Sequence, residues 1–298
     1  MKRVGEQELS LKTLLKTLVR SPVSLVALLI LTGILVGIGV TFVKQIRYMG
    51  ETEAEESIFG FSYLEKTYEK GPPSEEFIFG TDDEGISVAE RTLAGARISF
   101  IVGVVGALVS VCVGTLYGLI SGYAGGKLDM IMMRFVDVVY SLPYMFIVII
   151  LIALFARSIW MLFIALGLVY WLTIARIVRG QVLSIKERDF VTAARAIGAG
   201  HVRIIFKHIL PNLIGIVIVY LTLTIPRLML QESFLSFLGL NVRGQEHSWG
   251  TILNEAVVSS TGTDWWMILF PGGLMFVTLL SLTVIGERLK EIVDPHGT

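Results

Sequence analysis

The chain has 298 residues; 54% are hydrophobic, only 17% are charged, and the mean hydropathy is +0.73. Soluble globular domains carry about 45–50% apolar and about 25% charged residues, so a soluble enzyme, a disordered chain and a disulfide-stapled secreted domain are excluded. Lys plus Arg balance Asp plus Glu at 25 each, and a net charge of zero offers nothing to nucleic acid.

A membrane-crossing helix needs about 20 mostly apolar residues. Six stretches qualify in chain order: 23–43, 98–121, 135–156, 158–174, 213–230 and 267–285. The expected fold is therefore an all-α integral membrane protein with six transmembrane helices. The first stretch is too long for a signal-peptide core, and Lys44-Gln45-Ile46 is a poor cleavage site, so it reads as a retained span. Residues 1–22 form an N-terminal tail and 288–298 a C-terminal tail. Residues 44–96 form an acidic loop with Glu51, Glu53, Glu55, Glu56, Glu65, Glu69, Glu75 and Glu76.

Basic residues set orientation. Lys2, Arg3, Lys12, Lys16 and Arg20 precede the first span, and seven Lys and Arg lie between Arg176 and Lys207. Lys127, Arg134, Arg288 and Lys290 fall on the same side of a six-span chain. That side, with both termini, is cytoplasmic; the acidic loop, a link at Arg157 and the 232–266 loop are external. Trp160, Trp249, Trp265 and Trp266 then fall at outer ends, as an aromatic belt would place them. Cys112, in an apolar run, reads as a packing residue.

The second span carries Gly106, Ser110, Gly114, Gly118 and Gly122, each four apart, and the first has Gly33 and Gly37. Such a ridge lets another backbone approach, either as fixed packing or as a sliding contact. Pro143 and Pro226 each remove a backbone donor inside a span and are expected to kink it.

The 179–209 segment is the most informative. Asp189 is placed to cap a helix in which Phe190, Ala193, Ala194 and Ile197 form one apolar face. Gly198 and Gly200 can end it in a left-handed turn. Val202, Ile205, Phe206 and Ile209 form a second face, and Pro211 opens the fifth span. Such a helix either lies on lipid or docks on a soluble partner; its paired alanines favour docking.

The run Phe190-Val191-Thr192-Ala193-Ala194-Arg195-Ala196-Ile197-Gly198, with His208-Ile209-Leu210-Pro211-Asn212, resembles the EAA loop of bacterial ABC-importer permeases. It is most similar to the oligopeptide/dipeptide permease family and, within it, to the C-type oligopeptide subunits. Gly80-Thr81-Asp82-Asp83, Gly95-Ala96-Arg97-Ile98-Ser99, Ser121-Gly122-Tyr123 with Gly125-Gly126-Lys127 and Asp129, Arg176-Ile177-Val178-Arg179-Gly180-Gln181 and Glu232 to Leu240 extend the likeness over about residues 10 to 296. The chain departs from the family pattern at Thr192, at Gly85-Ile86-Ser87 and at Arg227.

The resemblance implies a type I ABC importer permease fold with its core at 97–287, in the bacterial cytoplasmic (inner) membrane. It implies a second homologous permease subunit, two ATP-binding ATPase subunits, an extracytoplasmic substrate-binding protein and a peptide substrate. ATP and Mg would act on the ATPase subunits, with no cofactor or metal on this chain and no catalysis by it. Phe190, Ala193, Ala194, Arg195 and Gly198 would couple to the ATPase. A dipeptide, nickel or glutathione-type permease is the alternative, and an ion-coupled secondary transporter a more distant one.

Two charges lie within spans. Arg227 either snorkels to headgroups or meets peptide carboxylates or the binding protein. Asp137 either pairs locally with Arg134 or lines a translocation path. His201 and His208 lack a neighbouring carboxylate cluster, so no metal site is expected.

Overall fold

The computed structural model describes residues 17–52, 69–154, 159–240, 247–259 and 263–293. The elements are α1 (Pro22–Thr52), α2 (Val88–Ala124), α3 (Gly126–Ser141), α4 (Tyr144–Leu154), α5 (Ile159–Ile185), α6 (Asp189–Ala196), α7 (His201–Ile204), a π-helical turn Ile205–Ile209, α8 (Leu210–Phe237), α9 (Trp249–Ser259) and α10 (Trp265–Val293). No β-strand occurs among the described residues, only an isolated bridge between Thr81 and Ser87.

Four helical stretches are long and apolar enough to cross a bilayer: Pro22–Tyr48, Val88–Ala124, His201–Phe237 and Trp265–Val293. The expected third span is not one rod. α3 and α4 meet at 83°, so they add a fifth crossing only if the bent pair counts as one. Pro143 sits at the break and cannot donate to the preceding turn. Pro226, by contrast, lies inside an unbroken α8. The fourth stretch lies in α5, a single helix of 27 residues.

α2 is the central element. At about 1.5 Å per residue, its 37 residues run about 55 Å between two differently built ends. Its small residues face α5. A Cβ on Gly118 would stand 2.4 Å from the carbonyl oxygen of Ala175, and one on Gly114 2.7 Å from that of Trp171. Ser110 donates to the carbonyl of Gly167 at 3.0 Å. The ridge thus seats backbone against backbone, as its spacing permits. Gly106 faces α8 instead, where Leu228 is the neighbour.

At one end of α2 a polar cap gathers residues 69–87, the end of α1, α9 and the start of α10. The Trp249 ring nitrogen donates to Thr92 O at 2.8 Å, and that of Trp266 to Thr81 O at 3.2 Å. Both indoles are buried, so they anchor the cap rather than belong to a belt; Trp265 is exposed. The side chain of Trp160 lies outside the described residues. So do Lys2, Arg3, Lys12, Lys16, Glu53, Glu55, Glu56, Glu65, Arg157 and residues 294–298. Cys112 is exposed on the outer face of α2, not packed inside.

Candidate functional site

The 189–209 segment lies at the other end of α2. α6 ends in a Schellman turn: Ala199 N donates to Ala194 O at 3.0 Å and Gly198 N to Arg195 O at 2.9 Å. Gly198 takes φ +82°, the left-handed value that a side chain would disfavour. Gly200 has φ −67° and precedes α7. Asp189 is the first residue of α6, not its cap; Arg188 holds that position and makes no side-chain capping bond.

Which face is buried differs from the expectation. Val191 and Ala194 point inward with Ile204 and Ile209, in one cluster with Val111 and Leu119 of α2, Ile174, Val178, Val182 and Ile185 of α5 and Leu213 of α8. Phe190, Ile197, Val202 and Phe206 are exposed, Ile197 to 86%. Ala193, Arg195 and Gly198 are exposed as well. Ala194 is therefore a seat for the segment, while Phe190, Ala193, Arg195 and Gly198 stand on its open side. Of the four apolar positions that the spacing named, only Ala194 faces inward, and packing against α5 and α8 adds Val191, which lay outside that set.

Polar contacts secure the same end. Gly125 and Gly126 both have positive φ, at +65° and +58°, and turn the chain sharply into α3. That turn brings Asp129 onto Arg179, with Nε and Nη2 each 2.6 Å from a carboxylate oxygen. Ser121 donates to the same carboxylate at 2.5 Å. Lys186 donates to Gly122 O at 3.0 Å, and Tyr123 Oη lies 2.8 Å from Nδ1 of His201. The Arg195 guanidinium sits 6.0 Å from the centroid of the Tyr123 ring. Asp129, Arg179 and Tyr123 received no role from the sequence; the signal was the Gly125-Gly126 pair, which promises a sharp reversal but not its partner.

A second feature is a cavity of about 520 Å³ where α3 breaks. Arg227 lines it, with Tyr140, Tyr144, Tyr170 and Thr173. Tyr144 also hydrogen-bonds Gln231, one turn beyond Arg227 on α8. Asp137 is not in this cavity. Its carboxylate pairs with Arg176 of α5 at 2.9 Å rather than with Arg134. Arg176 in turn lies over the Tyr140 ring, 4.2 Å from its centroid.

At the cap end, Glu232 is fully buried and bonded by Ser236 at 2.8 Å and Ser99 at 3.1 Å. α9 packs directly on it: a Cβ on Gly250 would meet Ser233 O at 2.2 Å. Arg91 bridges Asp82 at 2.5 Å and Glu255. Burial pushes the Glu255 pKa up, but the hydrogen bond from His247 and the charge of Arg91 prevail and hold it below the ordinary carboxylate value. Burial pulls Lys70 down, but hydrogen bonds to Asp264 and Asp83 prevail and raise it; the Lys70 bond, with one from Ser259, lowers Asp83.

A sequence model for "binding-protein-dependent transport system inner membrane component" matches residues 114–296. The chain is 48% identical over 217 residues to the oligopeptide transport system permease protein OppC of Haemophilus influenzae, covering 73% of this chain and 70% of that one. It is 46% identical to OppC of Escherichia coli K12, covering 73% and 72%. Against the dipeptide transport system permease protein DppC of Bacillus subtilis, identity is 43%, covering 75% and 70%. The matched span takes in the Asp129–Arg179 junction, the cavity and the whole loop segment, and on these grounds the chain belongs to the family of binding-protein-dependent transport system inner membrane components.

Proposed function

We propose that this chain is one of two membrane subunits of an ATP-driven peptide importer, with oligopeptides as the main substrates. Its six crossings leave both termini and the 179–209 loop in the cytoplasm. The balance of Lys and Arg supports that orientation: Arg179, Lys186, Arg188, Arg195, Arg203 and Lys207 cluster at the loop end. An extracytoplasmic binding protein delivers the peptide to the cap end. Two ATPase subunits bind the nucleotide and Mg, and one of them docks on this loop. The chain itself catalyses no covalent step.

The observation that carries this reading is the divided face of the 189–209 segment. Val191, Ile204 and Ile209 are buried in a cluster shared by α2, α5 and α8. Burying side chains of this size contributes about 1.5–3 kcal/mol each, so the segment moves with the helices rather than swinging alone. Phe190, Ile197, Val202 and Phe206 remain outside, exposed apolar side chains that a protein groove would cover. A rigid lever of this kind transmits force. If closure of the ATPases favours one of two helix packings by a few kcal/mol, the lever shifts the population between inward and outward access.

Two substitutions separate the roles. Phe190→Asp should abolish co-purification of the ATPase subunits and ATP-dependent uptake, while the chain still inserts and melts normally. Ala194→Glu should lower the melting temperature first, because a carboxylate would enter the buried seam. Normal uptake by Phe190→Asp would overturn the docking role.

A further inference from the structure

The cavity at the α3–α4 break is built around one cation. With α8 spanning Leu210–Phe237, its midpoint falls near Leu223 and Thr224, so Arg227 lies about 5 Å beyond mid-helix. Arg227 is itself exposed, on the open side of the cavity, and a charge within a span usually faces protein or water rather than lipid. No carboxylate among the described residues lies within salt-bridge distance of it. Asp137, the other charge that the sequence places within a span, is engaged by Arg176.

The break supplies a second, independent feature. Leu142 and Pro143 leave the helical pattern, and with Ser141 at the end of α3 they line the cavity. Irregular backbone at membrane depth is tolerated only when buried in protein or facing water. α4 starts there, and Tyr144 and Ile147 of its first turns line the same space. At the start of this 11-residue helix Phe146 N and Ile147 N already donate to Pro143 O, which leaves Tyr144 and Met145 to offer N–H groups, together with a partial positive charge that favours an anion. Guanidinium and helix start thus converge on one space, beside the edge-on rings of Tyr144 and Tyr170, whose centroids are 6.4 Å apart.

We infer that this cavity is a carboxylate subsite, in which Arg227 and the first turn of α4 hold the C-terminal carboxylate of a peptide in transit while the tyrosine rings flank its last residues. This rests on the proposed peptide import. A volume of about 520 Å³ takes two or three residues, not a folded chain. Every unmodified peptide ends in a carboxylate, so such a subsite is indifferent to sequence and sensitive to the chain end. Gln231 orients the Tyr144 hydroxyl from the same face of α8.

Cysteine protection in the purified complete transporter tests this without depending on what the binding protein accepts. Cys112→Ser removes the background thiol, and Thr173→Cys places a reporter in the cavity wall. Maleimide labelling is followed against rising trialanine or trialanine amide. The free acid should protect at roughly tenfold lower concentration than the amide, the scale of one charge-assisted hydrogen bond. Arg227→Gln should erase that difference and Arg227→Lys retain part of it. Equal protection by acid and amide, or protection unchanged in Arg227→Gln, would overturn the subsite. So would no protection by either while cells still take up trialanine. Loss of ATP-dependent peptide uptake by the unmodified transporter would instead sink the proposed function itself.

Discussion

Two helices carry small residues four apart, and their fates differ. On α2, Gly114, Gly118 and Gly122 lie under the backbone of α5 at distances no side chain could share. On α1, Gly33 and Gly39 face open space, and Gly37 touches only the side chain of Leu93. In the most apolar window of α2, 56% of residues are buried within the chain, against 17% for α1. Small-residue spacing permits close approach but does not cause it. Contact follows only where a neighbour brings a matching surface, as α5 does with Gly167, Ala175 and Val178.

The contrast breaks most sharply at Gly118. Gly118→Val should cost about 3 kcal/mol or more, because the intruding atoms meet backbone that cannot turn aside. Gly33→Val should leave the melting temperature of the isolated chain in detergent unchanged. A silent Gly118 variant would mean that α2 and α5 separate readily and that the ridge is a sliding contact.

A smaller effect is expected at the loop end, where charge rather than shape ties α2 to α5. Asp129→Asn keeps the size but loses the bidentate pairing with Arg179, for a cost of about 1–3 kcal/mol. Because Arg179 is about one-third exposed, water recovers part of that loss. If the 189–209 segment is the lever proposed above, uptake should fall further than stability does, since this junction lies at its base. Parallel loss of both would mark Asp129 as purely structural.

The smallest effect is a pH response at the cap end. Asp83 and Glu255 are more acidic folded than unfolded, so their contribution is full above the unfolded values of 3.8 and 4.5 and is lost as pH falls below them. Lys70 is raised above 10.5, so its contribution is full below that value and is lost as pH climbs past it. Melting followed by tryptophan fluorescence, dominated at this end by Trp249 and Trp266, should be flat between those limits and fall by about 1 kcal/mol in acid. In Glu255→Gln the acid step should shrink. An unchanged step would assign it to other carboxylates.

Much of the architecture was legible in one sequence because hydropathy over 20 residues is a property of the segment itself. The apolar stretches, the turn at Gly198 and the break at Pro143 follow from local chemistry, whereas the helix expected to open at Pro211 already runs from His201 through the π-helical turn. The family likeness came from local motifs in the same way. The partners did not. α2, α4 and α8 are apolar nearly all round, and such helices carry no marked face to say which side turns inward.

Sequence alone therefore settled that this is a helical membrane chain with a cytoplasm-style basic loop and a small-residue rod. Tertiary packing decided that Ala194 is a seat and Phe190 is left exposed, that Asp137 answers Arg176, and that Arg227 opens into a cavity. The reason is one of range. Propensity, capping and hydropathy act within a few residues, whereas each of these outcomes depends on what another helix, dozens of residues away, brings into reach.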